Sequence, residues 1–429
     1  MNPCDRARTA RRALLTALAA LVLAAPAPRA DAWRGEERRE DGVPLLANPA
    51  APMAAPRTVE PQLLWRIGGD DETDPVLGLV LSIAVDEDGN AYLLDSQLNE
   101  IHVVSPAGEI LRTIGHEGEG PGEFAMPMGL FLLPDGSLGV HQPMPARVAV
   151  LDRDGEGRSD FRLPGAGDGG MRRVMEARGA GDRVLMALMR PTFETGKLIL
   201  DRSLVALDAE GALLATLYAV REEQEMTGGG IALRAGGGEE DFVRRWSPLP
   251  DGGVLVAPFW SRYRILDIGP DGGTRRIIER EYEPVRRSRE EMDELREQFA
   301  EGLTGVDPEI PEIERAIERV VARPGGGFWV LSSQGLRDRE TGTLGVFEVY
   351  DAGGRYERTL SIATDYDPDR DRWLVDGDRL FVIKEGLAMP PLTRTSGNQT
   401  MVMRMGNASS DEDEDGEPEP LAIHCYRLP

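Results

Sequence analysis

The chain has 429 residues, a formal net charge of −25 at pH 7 and two cysteines. Such an acidic protein repels nucleic acid and anionic membrane surfaces, which argues against a nucleic-acid-binding role. The length exceeds that of a usual domain of about 100–200 residues, but closed β architectures often reach it as a single unit.

The first 32 residues have the order of a secretory signal peptide. Arginines within residues 6–12 precede an apolar run over 13–25, and Ala30-Asp31-Ala32 supplies small residues for a peptidase. The run is shorter than the roughly twenty residues that span a bilayer, although an uncleaved anchor is the alternative. We expect cleavage after Ala32 and a periplasmic or extracellular protein without a membrane span. Cys425 would then be its sole cysteine, so no intrachain disulfide is expected.

Paired turns recur through the rest of the chain. Asp88-Gly89, Asp135-Gly136 and Asp251-Gly252 are each followed after about 20 residues by a second glycine turn, with short apolar strands between them. Each unit is read as four strands, A to D, which predicts an all-β, six-bladed β-propeller of four-stranded antiparallel blades. A spiral of stacked sheets is the alternative. The units cover residues 77–115, 125–165, 172–219, 241–282, 313–362 and 369–429.

The last unit lacks an outer strand in this pattern, because residues 423–426 read as its strand C. Residues 63–68 resemble the fourth strand of the first unit, residues 110–115. We therefore expect an N-terminal strand to complete the last blade. The propeller would occupy residues 61–429, after a flexible segment over 33–60.

The first unit also resembles a known family, the NHL repeat. The likeness covers Ile83 to Ser96 and continues through Asn99 to the linker Gly118 to Phe124. It is good in this unit, fair in the second and weak in the others. The resemblance implies an exported bacterial propeller, but such propellers include binding modules, lactonases and lyases.

Most of the extra length lies on one predicted face. We call the side with the B–C loops and D–A linkers the loop-bearing face, and the side with the A–B and C–D turns the turn face. Insertions at 220–240, 284–312 and 385–420 belong to the loop-bearing face, which indicates a working surface. The second insertion predicts a helix that begins with a capping box of Ser288 and Glu291. Its apolar stripe is expected to pack on the propeller rim and consists of Met292, Leu295 and Phe299.

Residues near this face supply the candidate ligand contacts. The ends of the B strands do not form a recognisable metal-binding or catalytic set, so no metal, cofactor or catalytic residue is predicted. Aromatic, arginine and polar side chains are typical of binding surfaces. The candidates are His116, His141, Gln142, Trp260, Arg262, Tyr263 and Lys384.

The sequence therefore favours a monomeric scaffold that binds a protein, peptide or glycan through its loop-bearing face. The alternative is a lactonase-like hydrolase or lyase with its active site at the mouth of the central channel. The acidic run 411–419 is expected to be solvated, with loose calcium binding as its alternative.

Overall fold

The computed structural model describes residues 33–69, 75–143, 146–158, 161, 163, 172–227, 230–231, 239–302, 310–387, 392–396, 399–403 and 420–429. The features reported below belong to one compact unit, Arg34–Pro429. Neither helix in these ranges has the length and apolar character needed to cross a membrane. The expected signal peptide and the acidic run 411–419 lie outside the described residues.

Strands dominate the described part of the chain from its beginning. The first four come before any blade is begun, and all of them join sheets that are built from later parts of the chain. They are β1 (Glu36–Glu40), β2 (Val43–Asn48), β3 (Arg57–Val59) and β4 (Gln62–Gly68).

Blades 1 to 3 follow, with their strands side by side in chain order. The hairpin formed by the first two strands of blade 1 turns at Gly89, whose φ of 81° suits glycine. Bridges from Val148 to Phe161 and from Leu151 to Gly157 stand where blade 2 would have a fourth strand. The strands are β5 (Val80–Val85), β6 (Ala91–Asp95), β7 (Glu100–Val104) and β8 (Ile110–Ile114); β9 (Gly129–Leu132), β10 (Leu138–Pro143) and β11 (Ala146–Leu151); β12 (Arg173–Ala180), β13 (Arg183–Glu194), β14 (Lys197–Leu207), β15 (Leu213–Thr227) and β16 (Gly230–Ile231).

Blades 4 to 6 repeat this order and carry both described helices in their loops. A separate hairpin, β27 and β28, lies within the 385–420 insertion. The elements are β17 (Trp246–Pro248), β18 (Val254–Val256), β19 (Arg264–Ile268), β20 (Thr274–Arg280) and α1 (Arg289–Gly302); β21 (Ile317–Ala322), β22 (Phe328–Ser332), α2 (Ser333–Arg337), β23 (Thr343–Tyr350) and β24 (Tyr356–Ala363); β25 (Arg372–Asp376), β26 (Arg379–Lys384), β27 (Leu392–Ser396), β28 (Gln399–Met403) and β29 (Ala422–Arg427).

The N-terminal strand β4 closes the ring, as the sequence predicts. It pairs antiparallel with β29, so that blade 6 has the order β25-β26-β29-β4. Ile67 lies opposite Ile423, and the rings of Trp65 and Phe381 are 6.0 Å apart between centroids. The sixth blade is therefore assembled from both ends of the described chain.

Residues 33–60 are not the flexible segment that was expected. β1 and β2 form a hairpin, and β2 runs parallel to β20 on the outer edge of blade 4. β3 runs parallel to β24 on the outer edge of blade 5. The physical reason is that these edges offer unpaired backbone groups, while Leu45 and Val59 bury their side chains, at 1% and 8% exposure.

An apolar cluster fills each of the six junctions between neighbouring blades. Trp246, for example, packs between blades 3 and 4, and Phe131 between blades 2 and 3. The remaining clusters lie between blades 1 and 2, 4 and 5, 5 and 6, and 6 and 1. Apolar burial is therefore continuous around the ring, which fixes the six inner strands relative to one another.

The insertions differ in how far they form regular structure. Residues 220–227, expected as linker, continue β15, because 220–225 pair with the elongated β14 and 226–227 pair with β16. The capping box of α1 is confirmed, since the Glu291 amide donates to Ser288 Oγ at 3.2 Å and Glu291 accepts from the Ser288 amide at 2.6 Å. Met292 and Leu295 are half-buried, and the side chain of Phe299 lies outside those described.

Candidate binding site at the central channel

The first strands of the blades meet around the axis of the propeller. β5 contacts β9 and β25, β9 contacts β12, β12 contacts β17, and β17 contacts β21. Propeller blades surround a central channel, so side chains on these strands are the ones placed to line it. Each of these strands runs from the loop-bearing face toward the turn face.

Arg178 and Glu176, both on β12, form the first charged pair of this channel. Arg178 Nη2 lies 2.7 Å from Glu176 Oε1, and the guanidinium lies 5.7 Å from the ring centroid of Trp246. Burial alone would lower the pKa of Arg178, but the charge and hydrogen bond of Glu176 outweigh it and leave that pKa raised. The side chain of Arg178 is still 38% exposed, so solvent reaches it.

Arg319, on β21, is a cation with no carboxylate paired to it among the described residues. Its guanidinium carbon lies 4.3 Å from the ring centroid of Trp373, and no hydrogen bond or ion pair joins it to another described residue. Burial, followed by repulsion from Arg178 and Arg244, lowers the pKa of Arg319 to about 10. Arg319 is half-buried, so its charge is incompletely solvated.

Two more arginines stand where their strands begin, at the loop-bearing face. Arg372 is the first residue of β25, and Arg244 lies two residues before β17 and is exposed. Burial lowers the pKa of Arg372 to about 10, with a further contribution from Arg244. Arg319 is also repelled by Arg372. Guanidinium groups from blades 3, 4, 5 and 6 therefore converge on one region.

The opposite end of β25 carries an acid. Asp376 Oδ2 accepts a hydrogen bond from the Val85 amide of blade 1 at 2.7 Å. Burial raises the pKa of Asp376, while this hydrogen bond and Arg178 act to lower it. Arg244 and Arg372 thus lie at the loop-bearing end of the channel, and the buried carboxylate of Asp376 lies toward the turn face.

Two of the residues singled out from sequence, His141 and Gln142, are buried at the end of β10. Their exposed fractions are 3% and 1%. Burial lowers the pKa of His141 to about 4, against the attraction of Glu176, so the ring is neutral at pH 7. Gln142 Oε1 accepts from the Ala125 amide at 3.1 Å. The structure therefore places both within the packing behind the channel.

His116 is placed differently, on the exposed linker between blades 1 and 2. Its Nε2 lies 3.1 Å from Glu123 Oε1. The pKa of Glu123 is lowered chiefly by the Gly120 amide and then by His116. The histidine therefore pairs with a residue of its own linker.

The three candidates of blade 4 do not form one surface. Trp260 is buried and its Nε1 donates to the Ile313 carbonyl at 3.0 Å. Tyr263 is buried as well, with its hydroxyl 2.8 Å from that of Tyr350. Arg262 is exposed, and its guanidinium lies 3.8 Å from the ring centroid of Phe259. Arg262 alone of these three faces solvent.

Lys384, the last candidate, ends β26 at the loop-bearing face. Its Nζ lies 2.7 Å from Asp371 Oδ2 and 3.5 Å from Asp365 Oδ1. Burial opposes its charge, but Asp371 and Asp365 raise the pKa of Lys384 above its usual value. Its charge is thus already neutralised by two carboxylates.

The convergent arginines were missed in the sequence because the B strands were sampled for chemistry. Arg178, Arg319 and Arg372 lie on the A strands. A usable signal existed, since each arginine lies within or at the start of a predicted inner strand of a strongly acidic chain.

Within the described residues, no group of three or more His, Cys, Asp or Glu side chains is placed to hold a metal ion.

Fold and site together define a six-bladed propeller with a cationic inner surface. A putative exported protein from Bacteroides fragilis NCTC 9343 is similar to it, with 12% identity over 88% of this chain and 100% of its own, at a TM-score of 0.44. A DUF4221 family member from Bacteroides vulgatus is 10% identical over 86% of this chain and 98% of its own, with a TM-score of 0.45. Virginiamycin B lyase from Staphylococcus aureus is 11% identical over 85% of this chain and 99% of its own, with a TM-score of 0.36.

These similar structures are six-bladed propellers, and likeness of this extent concerns the fold and not the activity. No family model matches the chain, and no curated protein matches its sequence. The resemblance to the NHL repeat stays a prediction.

Proposed function

We propose that the protein is an exported scaffold that binds a protein, peptide or glycan at its loop-bearing face, over the mouth of the central channel. The observation that carries the proposal is the convergence of guanidinium groups from four blades on this channel. Arg244 is exposed there, and Arg319 has no ion pair with any described residue.

Arginine suits this role for physical reasons. Its guanidinium presents five N–H donors in a planar fork and is more weakly hydrated than an ammonium group. Arginine is also enriched among the residues that dominate binding energies. A partly desolvated cluster of such groups gains hydrogen bonds and charge neutralisation when a ligand occupies it.

The proposal is tested by screening the purified protein against peptide and glycan arrays. The loop-face variant combines Arg244→Asn, which tolerates the φ of 63° at that position, with Arg262→Ser. The matched control is Arg158→Ser, an arginine near the turn face that pairs with Asp135 at 2.8 Å. We expect the loop-face variant to lose the array signal and the control to keep it. Loss in the control alone would move the binding surface to the turn face.

Export forms a separate part of the proposal, and it rests on residues 1–32. Mass spectrometry of the protein recovered from the periplasm or the medium is expected to give an N-terminus at Trp33. A full-length chain in the membrane fraction would instead support the uncleaved anchor.

The alternative hydrolase or lyase would use the same channel. The described side chains that converge there are guanidinium groups with Glu176 and Asp376, a set suited to holding an anion. The array experiment also distinguishes these functions, because an enzyme would release altered ligand, which mass spectrometry detects.

A further inference from the structure

We infer that Arg319 anchors a carboxylate of a peptide ligand inside the channel. This inference rests on the proposed binding function and adds to it the chemical class of the ligand.

The first support is the way in which Arg319 is held. Its guanidinium carbon lies over the ring of Trp373, 4.3 Å from the centroid, and Trp373 is only 6% exposed and therefore fixed by packing. This cation–π contact holds the guanidinium from one side, and no described residue forms a hydrogen bond with its N–H groups. A carboxylate is the partner that a guanidinium edge binds through two parallel hydrogen bonds.

The second support is the charge around Arg319. Arg178, Arg244 and Arg372 act on it with the same sign of charge, and Glu176 opposes them. Glu176 is already engaged by Arg178 at 2.7 Å. Like charges in a partly desolvated channel repel one another more strongly than in water, and a bound anion converts this repulsion into attraction.

The geometry of a single guanidinium favours a carboxylate over a phosphate. The two oxygens of a carboxylate match the two parallel N–H donors of one guanidinium edge, and Arg319 offers one such edge. A phosphate monoester carries about −1.5 to −2 at neutral pH and three acceptor oxygens, which suits several guanidinium groups at once. Arg178, however, is already paired with Glu176 at 2.7 Å.

Burial of the aromatic rings favours a peptide over a sugar acid. Trp246 and Trp373 are only 1% and 6% exposed, and arginines lie against both rings. Neither indole therefore presents a free face on which a sugar ring could stack. A peptide carboxylate needs only the guanidinium edge.

The test measures the affinity of the full chain for N-acetylated hexaglutamate by titration calorimetry, with N-acetylated, C-terminally amidated hexaglutamine as the uncharged probe. The variants are Arg319→Met and Arg319→Lys. The matched control is Arg323→Met, because Arg323 also stacks on an indole, 4.2 Å from the ring centroid of Trp329, but at the turn face of the same blade. Phosphoserine peptide and oligogalacturonate form the two further arms.

We expect hexaglutamate to bind at least about tenfold more tightly than hexaglutamine, and Arg319→Met to weaken it about tenfold or more. Arg319→Lys should recover only part of the affinity, because it restores the charge without the fork. Arg323→Met should bind as the wild type does. If Arg319→Met does not fold, the lysine variant and the comparison of the two probes on wild-type protein decide the question.

Equal binding of the two peptides would overturn the inference, as would affinity that survives in Arg319→Met. Tighter binding of oligogalacturonate or of the phosphopeptide would overturn the assignment to a peptide carboxylate. Array ligands that need Arg244 and Arg262 but ignore Arg319 would leave the proposed function standing and remove only this inference. If hexaglutamate binding needs Arg319 but neither Arg244 nor Arg262, the inference stands and the proposal that the ligand binds at the loop-bearing face is overturned.

Discussion

Arg264 donates through Nη1 and Nη2 to the two carboxylate oxygens of Glu40, at 2.6 and 2.9 Å, and so attaches the hairpin of β1 and β2 to blade 4. Arg264→Met should therefore speed amide exchange over residues 43–48, which hydrogen-exchange mass spectrometry measures. Arg38→Met is the control, since Arg38 meets Glu279 at 3.3 Å and is 51% exposed. Equal exchange in both variants would mean that the two-point contact does not hold the hairpin.

Glu348 and Arg280 form a buried ion pair at 2.9 Å, with side chains 6% and 7% exposed. Glu348→Gln should cost about 3–5 kcal/mol of unfolding free energy in urea, because it leaves the Arg280 charge buried without its partner. Glu357→Gln removes an exposed partner of Arg358 in the same blade and should cost less than about 1 kcal/mol. Similar losses of unfolding free energy in the two variants would contradict the prediction that the buried ion pair contributes more than the exposed one.

His141 makes stability depend on pH. Its pKa is about 4 in the folded protein, against about 6.5 when unfolded, so between these values the unfolded state binds more protons. The stability contributed by His141 is complete at pH 7 and falls by up to about 3 kcal/mol as pH drops to 4. His141→Phe should flatten the stability curve over this range in urea titrations. His116→Gln, which changes an exposed ring, should alter the curve much less than His141→Phe does, and the reverse ranking would contradict the prediction.

Gly108 tests the junction at which the ring closes. Its φ is 88°, and a Cβ there would lie 2.4 Å from Cβ of Trp65 on β4. Gly108→Ala should therefore lower the melting temperature more than Gly42→Ala, where φ is 84° but no atom lies within 4 Å of the added carbon. Calorimetry on the two variants separates steric overlap from backbone strain, and equal melting temperatures would exclude the overlap.

The blade pattern was predictable because its determinants are local. Glycine turns such as Gly89 and short apolar strands such as β7 repeat at intervals that a sequence displays directly. Even the closing strand β4 was recognisable, because it resembles another fourth strand. The hairpin of β1 and β2 was missed since its partner β20 lies more than 200 residues away, and parallel pairing to an outer edge has no local signature.

The site was less predictable than the fold. Arg178 and Arg319 lie on different blades, and nothing in their separation along the chain shows that they approach the same axis. Trp260 and Tyr263 illustrate the opposite error, because aromatic residues next to a loop look accessible in sequence. Their burial depends on neighbours such as Ile313 and Tyr350, which the next blade contributes.

The pairing of β1 to β4 also sets an order in time. A chain that emerges from its N-terminus can pair β1 with β2 at once, but β2, β3 and β4 lack their partners in the blades until β20, β24 and finally β29 have followed. Contacts of such long sequence separation form late and slowly. A nascent chain interrupted before Ala422 would therefore hold β4 without its blade partner, and the ring would close only after β29 had been synthesised.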